Sequence, residues 1–165
     1  MMSFRHKETV EVCKKHEEGF AADAYYLQAT YLASIGGTRC LVQYQTRFEE
    51  DRTRLRTEMV MEELVRPQPP PPPTVTGHSN YVVSQKVDAY EDGAWWVGRV
   101  SRIDGEDCLH CHVRLDISGN ELKVPFYRLR HHLDWRNGHW VPPAPSRAPR
   151  PRSLSATSSK NQLIS

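Results

Sequence analysis

No stretch of this 165-residue sequence approaches the ~18 consecutive apolar residues that a membrane-crossing helix requires, so none is expected. Cysteine is scarce: Cys13, Cys40, Cys108 and Cys111 are the whole set, and they lack the close spacing of a disulfide framework. No apolar core of a signal peptide follows the basic residues near the N-terminus. Together these features imply a reducing compartment, cytosol or nucleus. A nucleophile elbow, a phosphate-binding glycine loop and a metalloprotease helix are also missing, so neither an enzyme nor a cofactor is expected. Acidic residues are absent from Ala144 onward, where Arg147, Arg150, Arg152 and Lys160 lie. The chain carries a net +2, so those four charges leave the remainder at −2. A slightly acidic body argues against a dedicated grip on phosphates and leaves only weak nucleic-acid contact, for example through the tail.

Tryptophan and proline are present in concentrated form. Trp95, Trp96, Trp135 and Trp140 all fall between Lys86 and Trp140. Aromatic mass at that density, with frequent turn signals, points to a small β barrel. The prolines gather at 67–73 and 142–151, which are natural breaks. Pro69 to Pro73 is an unbroken run that prefers polyproline II. It is either a ligand for proline-recognising domains or a stiff spacer, and its position between two similar units favours the spacer. From Pro142 the chain has too few apolar residues to offset ordering entropy and reads as disordered.

Before the proline run, Thr9 to Cys13 alternates as a half-buried strand and Lys14 to Gly19 reads as a loop. Tyr25 to Ile35 is a second strand, Gly36-Gly37 a hairpin turn, and Arg39 to Tyr44 a third strand. Glu49 to Arg52 forms a charged tip. Arg54 to Met61 suits helix or strand by composition and is taken as strand because a barrel needs its sheet continued there. Leu64 to Pro67 closes the unit. The second unit repeats the order: Val10-Glu11-Val12 matches Val87-Asp88-Ala89, and Tyr26 to Thr30 matches Trp95 to Arg99. Val42-Gln43-Tyr44 matches Val113-Arg114-Leu115, and Leu64-Val65-Arg66 matches Arg128-Leu129-Arg130.

Cys108, His110, Cys111 and His112, with His131 and His132, invite a zinc reading. Strand alternation opposes it, because Cys111 points away from the other three. Asp104 to Asp107 is too short a ligand series for calcium. No metal is expected.

These residues carry a family resemblance. Val10-Glu11-Val12, Glu18-Gly19-Phe20, Tyr25-Tyr26, Ala29-Thr30, Leu41 to Tyr44, Glu58 and Val65-Arg66-Pro67 resemble a plant Agenet domain. So do Lys86 to Tyr90, Asp92 to Gly98, Leu129-Arg130, Leu133-Asp134-Trp135 and Gly138-His139-Trp140. Agenet domains belong to the Tudor-like Royal superfamily. The resemblance therefore implies an all-β chain: two tandem small Tudor/SH3-like barrels of about five strands each, with a disordered C-terminal tail. The expected units are a first barrel over 1–67, a proline-rich linker over 68–79, a second barrel over 80–143 and a basic tail over 144–165.

The resemblance also implies a reader of methylated lysine on a histone H3 tail, some relatives recognising dimethylated lysine 9. A methylammonium ion is held by aromatic faces with a carboxylate nearby. In this fold the aromatics come from the loop after the first strand, the start of the second, the end of the third and the following hairpin. Those places hold Phe20, Tyr26 and Tyr44, with Glu49, Asp51 and Glu58 as candidate acids. Alternation lets only one of Tyr25 and Tyr26 line the cage, and alignment of Ala29 selects Tyr26. Tyr44 suits core or cage equally, and Phe48 is a hairpin contact. The second unit has Leu115 near the place of Tyr44 and lacks a full box, so it is expected to support the first, with Trp95 as a possible secondary contact. Trp135 and Trp140 are expected to seal the barrel or the junction.

The leading expectation is thus a nuclear, monomeric chromatin-binding module whose cage comprises Phe20, Tyr26, Tyr44, Glu49 and Glu58. Its alternative is an RNA- or DNA-binding or protein-interaction scaffold of the same fold with a degenerate cage. A third possibility is that the chain is a fragment or short paralogue of a larger scaffold protein.

Overall fold

The computed structural model describes residues 4–18, 21–71, 80–106 and 109–144. The expected linker beyond residue 71 and the tail beyond residue 144 lie outside them, as do Phe20 and Cys108. The chain is all-β and forms two tandem Tudor-like barrels. The first uses β1 (Thr9–Glu18), β2 (Ala21–Ile35), β3 (Arg39–Phe48), β4 (Leu55–Met61) and β5 (Val65–Pro67). The second uses β6 (Lys86–Glu91), β7 (Ala94–Arg102), β8 (His110–Leu115), β9 (Glu121–Pro125) and β10 (Leu129–His131). A hairpin, β11 (Asp134–Arg136) and β12 (His139–Val141), follows.

Each barrel is a meander whose first strand also takes up the last. β1 pairs with β2 and β5, and β6 with β7 and β10. A single 3-10 turn, Glu62–Leu64 or Phe126–Arg128, precedes each closing strand. The inward positions of β1, β2 and β3 are Val10, Val12, Leu27, Ala29, Tyr31, Cys40, Val42 and Tyr44, and they fill the first core with Val60 and Val65, so Tyr44 packs as a core residue. Val87, Ala89, Val100, Cys111, Val113, Val124, Phe126 and Leu129 fill the second, where Tyr81 joins them. Alternation of apolar and polar residues along each strand is what sorts these side chains inward.

Among the described residues, ten strands form one continuous sheet, because β2 pairs with β7 across the junction. The pairing is short, Tyr25 with Trp96 and Tyr26 with Trp95. It also brings Ala94 of β7 into the first barrel's core. The two barrels match in register: Val10 pairs with Ala29 as Val87 pairs with Gly98, and Ala29 pairs with Tyr44 as Gly98 pairs with Leu115. Tyr26 and Trp95 are equivalent under this correspondence and face each other, so a local twofold axis runs between them.

A buried charge network lies on that axis. Glu11, 1 % exposed, accepts hydrogen bonds from Arg66 Nη2 at 2.8 Å and from Arg130 Nη1 at 2.7 Å. Arg130 also donates from Nε to Asp88 Oδ2 at 2.8 Å, and Arg66 donates to the Leu133 carbonyl at 2.8 Å. Asp88 lies 2.7 Å from Nδ1 of His132, whose Nε2 is 3.0 Å from Asp134. Burial works against the charge on Arg130, but bonding to Glu11 and Asp88 outweighs it and raises its pKa.

One expectation changes. The polar run after Cys13 is not a loop: β1 continues to Glu18, paired residue for residue with β2 down to Ala21. Backbone pairing with β2 carries the strand through this polar run. The terminal tryptophans form a hairpin of their own, with Trp135 opposite Trp140. Asn137 and Gly138 turn it, both at positive φ (50° and 79°), the conformation a two-residue hairpin turn needs.

Candidate functional site

At one end of the first barrel the inner face changes character. Along β1 the inward series runs Val10, Val12, Lys14; along β2 it runs Ala29, Leu27, Tyr25; on β3 Val42 gives way to Tyr44 and on β4 Val60 gives way to Glu58. Apolar inward positions are thus replaced, at one level of the barrel, by two tyrosines, a carboxylate and a lysine. Lys14 and Tyr25 are direct cross-strand partners.

Tyr44 is 2 % exposed, and its hydroxyl donates to Glu58 Oε1. Burial and then this bond to a carboxylate push its pKa up, and nearby Tyr25 adds a smaller effect. Lys14 Nζ donates to the same Glu58 oxygen at 2.9 Å and lies 5.8 Å from the centre of the Tyr44 ring. Burial disfavours the Glu58 charge, but the bonds from Tyr44 and Lys14 outweigh it and hold its pKa below the ordinary value. The second barrel supplies the remaining aromatic. Trp96 stacks on Tyr25 with ring centres 4.5 Å apart and planes at 28°. Its indole N–H donates to the Glu91 carbonyl at 3.0 Å, which fixes the ring.

The tip of the β6–β7 hairpin clamps this arrangement, since Thr46 of β3 donates to the Gly93 carbonyl at 2.7 Å and Arg47 to the Asp92 carbonyl at 3.1 Å. A cavity of about 220 Å³ adjoins Trp96 and is lined by Asp23, Glu91 and Asp92 together with Leu115 and Leu122. Asp23 accepts the backbone N–H groups of Ile117 and Ser118 at 2.8 and 3.1 Å, tying β2 to the turn after β8. The surroundings of the site carry both signs: Asp23, Glu91 and Asp92 on one side, Lys14, Arg47 and Arg56 on the other.

Of the residues singled out from sequence, Tyr44 and Glu58 come together here. Tyr26 does not join them. It alternates to the opposite face, where the Arg66 guanidinium covers its ring at 3.6 Å, and burial pushes its hydroxyl pKa up to about 12. Trp95 shares that junction face, with Arg130 4.2 Å from its ring and Tyr90 packed beside it. Glu49 sits at the β3–β4 turn and accepts the Thr57 N–H at 3.2 Å. It lines a separate polar cavity of about 600 Å³ with Phe48, Asp51 and Arg56. Phe20 lies outside the described residues; its neighbours Glu18 and Ala21 pair at the end of the β1–β2 ribbon.

Sequence reasoning weighed Tyr25 against Tyr26 and chose Tyr26, and it did not single out Trp96 or Lys14 for this site. Continuing the Val10-Val12 alternation by one step would have placed Lys14 inward beside Tyr25, but the polar run had been read as a loop. Trp96 had no local signal, because it reaches this site only through the pairing of the two barrels.

Among the described residues, no cluster of His, Cys, Asp or Glu side chains is arranged to hold a metal ion. Cys111 points into the second core while His112 lies outward, its Nε2 3.1 Å from Arg102.

The Agenet domain family matches residues 7–70. Protein AGENET DOMAIN (AGD)-CONTAINING P1 of Arabidopsis thaliana is 29 % identical over 106 residues, covering 64 % of this chain and 20 % of the relative. The chain thus spans about a fifth of that protein's length. Its fold is similar to the crystal structure of Arabidopsis thaliana AGDP1 AGD34, with a TM-score of 0.71 and 28 % identity over 85 % of this chain and 90 % of the other. It is also similar to the crystal structure of ADCP1 tandem Agenet domain 3-4, with a TM-score of 0.69 and 26 % identity over 86 % and 89 %. With an Agenet match in its first barrel and a fold over both barrels like that of two tandem Agenet structures, the chain is similar to plant Agenet domain proteins.

Proposed function

We propose that this protein is a nuclear chromatin-binding module that holds a methylated lysine of a histone H3 tail and performs no reaction on it. Agenet domains are protein- or peptide-interaction modules, which supports a peptide partner. One observation carries the finer reading: an alkylammonium group, that of Lys14, already rests on Glu58 and beside the Tyr44 ring. A site that accommodates one lysine ammonium between a carboxylate and aromatic rings has the chemistry to take another. Methylation favours the incoming group, because a poorly hydrated cation loses less on leaving water and gains attraction to aromatic faces. In this reading Tyr25, Tyr44 and Trp96 supply the faces, Glu58 the charge, and the exposed Glu91 and Asp92 beside Trp96 attract a basic peptide.

Calorimetric titration with unmodified and lysine-9-dimethylated H3 peptides tests the proposal. Tighter binding of the dimethylated peptide supports it, and equal or absent binding of both overturns it.

A second reading rests on a different observation. On the outer face of the second barrel, Arg102, His112 and Lys123 form a row across β7, β8 and β9, with Arg114 beside it paired to Glu121 at 3.7 Å. Such a row suits a nucleic-acid backbone. Binding to RNA or DNA that weakens steeply with salt would support this reading.

A further inference from the structure

We propose that Lys14 is the resident cation of the Glu58 site and sets its affinity for ligand by competing with it. The inference rests on the reading of this site as an ammonium receptor and adds what controls entry. Glu58 Oε1 is already shared between the Tyr44 hydroxyl and Lys14 Nζ. The Lys14 charge cancels that of Glu58, so an arriving methylammonium meets a neutral pair instead of a free carboxylate. Tyr44, 2 % exposed, packs with the first core, and Lys14 Nζ holds the place 5.8 Å from its ring centre beside Glu58. A ligand that reaches both the carboxylate and the ring must therefore move Lys14 out.

The displacement is feasible. Side-chain exposures of 28 % for Lys14 and 32 % for Glu58 leave the pair in contact with solvent. Lys14 sits where β1 leaves the apolar core for the ribbon beyond it, so its four-carbon stem can turn outward without opening the core. Half-exposed ion pairs are weak, so removing the competitor should tighten ligand binding by about five-fold. The neighbouring Lys15 is exposed and cannot substitute, because alternation points it away from the barrel interior.

The test compares wild type, Lys14→Met and Lys14→Arg in calorimetric titrations with the lysine-9-dimethylated H3 peptide. Methionine keeps an unbranched apolar stem and removes the charge; arginine keeps the charge. The expected result is binding about five-fold tighter for Lys14→Met and unchanged for Lys14→Arg. Equal or weaker binding by Lys14→Met overturns the competition while leaving the receptor reading intact. No methyl-dependent binding by any of the three overturns both. A measurement on the unaltered protein guards against a folding defect in the variants. The side-chain ammonium signal of Lys14, followed by NMR during peptide titration, should move as the Glu58 contact breaks. A signal that stays fixed while the peptide binds overturns the proposal.

Discussion

Adjacent tyrosines on one strand have opposite fates. Tyr25 faces the inner end of the barrel, stacked on Trp96, whereas Tyr26 lies at the junction under Arg66. The period-2 alternation that separates them was legible in the sequence, but the choice between them was not. Comparison of the two halves identified the equivalence of Tyr26 and Trp95, but not the junction where both lie, which is invisible in either half alone. The two residues should therefore respond differently to truncation. Tyr26→Ala is expected to lower stability by about 3 kcal/mol, as loss of a packed aromatic does. It should leave the preference for methylated over unmethylated peptide unchanged. Chemical denaturation and paired titrations check both halves of this expectation.

The strands show the same division between local pattern and distant pairing. β3 and β5 were readable from alternation, turn residues and proline. The ambiguous 54–61 span is strand because β3 offers it a partner, from Arg39 opposite Met61 to Gln43 opposite Thr57. The ribbon end of β1 was missed because its polar residues look like a loop until β2 is laid beside it. Gly98, which matches Ala29 in the first barrel, shows how closely β7 and β8 approach. A Cβ there would lie 2.5 Å from the Arg114 carbonyl oxygen and 3.0 Å from Val113 Cγ1. Gly98→Ala should consequently destabilise the protein by about 1–3 kcal/mol through displacement of backbone, although alanine occupies the equivalent place in the first barrel. A thermal or urea melt of the variant measures this; an unchanged midpoint would show that β8 yields freely.

The two barrels are structurally continuous. Their continuous sheet, the contribution of Ala94 to the first core and the Glu11–Arg66–Arg130–Asp88 network all cross the junction. The motif residues Glu11, Arg66, Asp88 and Arg130, which carried much of the family resemblance, serve this union. Removing one partner of a buried ion cluster strands the rest. Glu11→Gln should thus cost about 3–5 kcal/mol, and both barrels should lose stability in a single calorimetric transition. Separate transitions would show that the network does not couple them. The same union carries Trp96 to the first barrel's tyrosines, so the proposed ligand site draws on both halves of the chain. The most direct test is a proton NMR experiment on the complex with a dimethyl-lysine H3 peptide, recording nuclear Overhauser contacts from the N-methyl groups. The account predicts contacts to the rings of Tyr25, Tyr44 and Trp96; contacts to Tyr26 and Trp95 instead would contradict it.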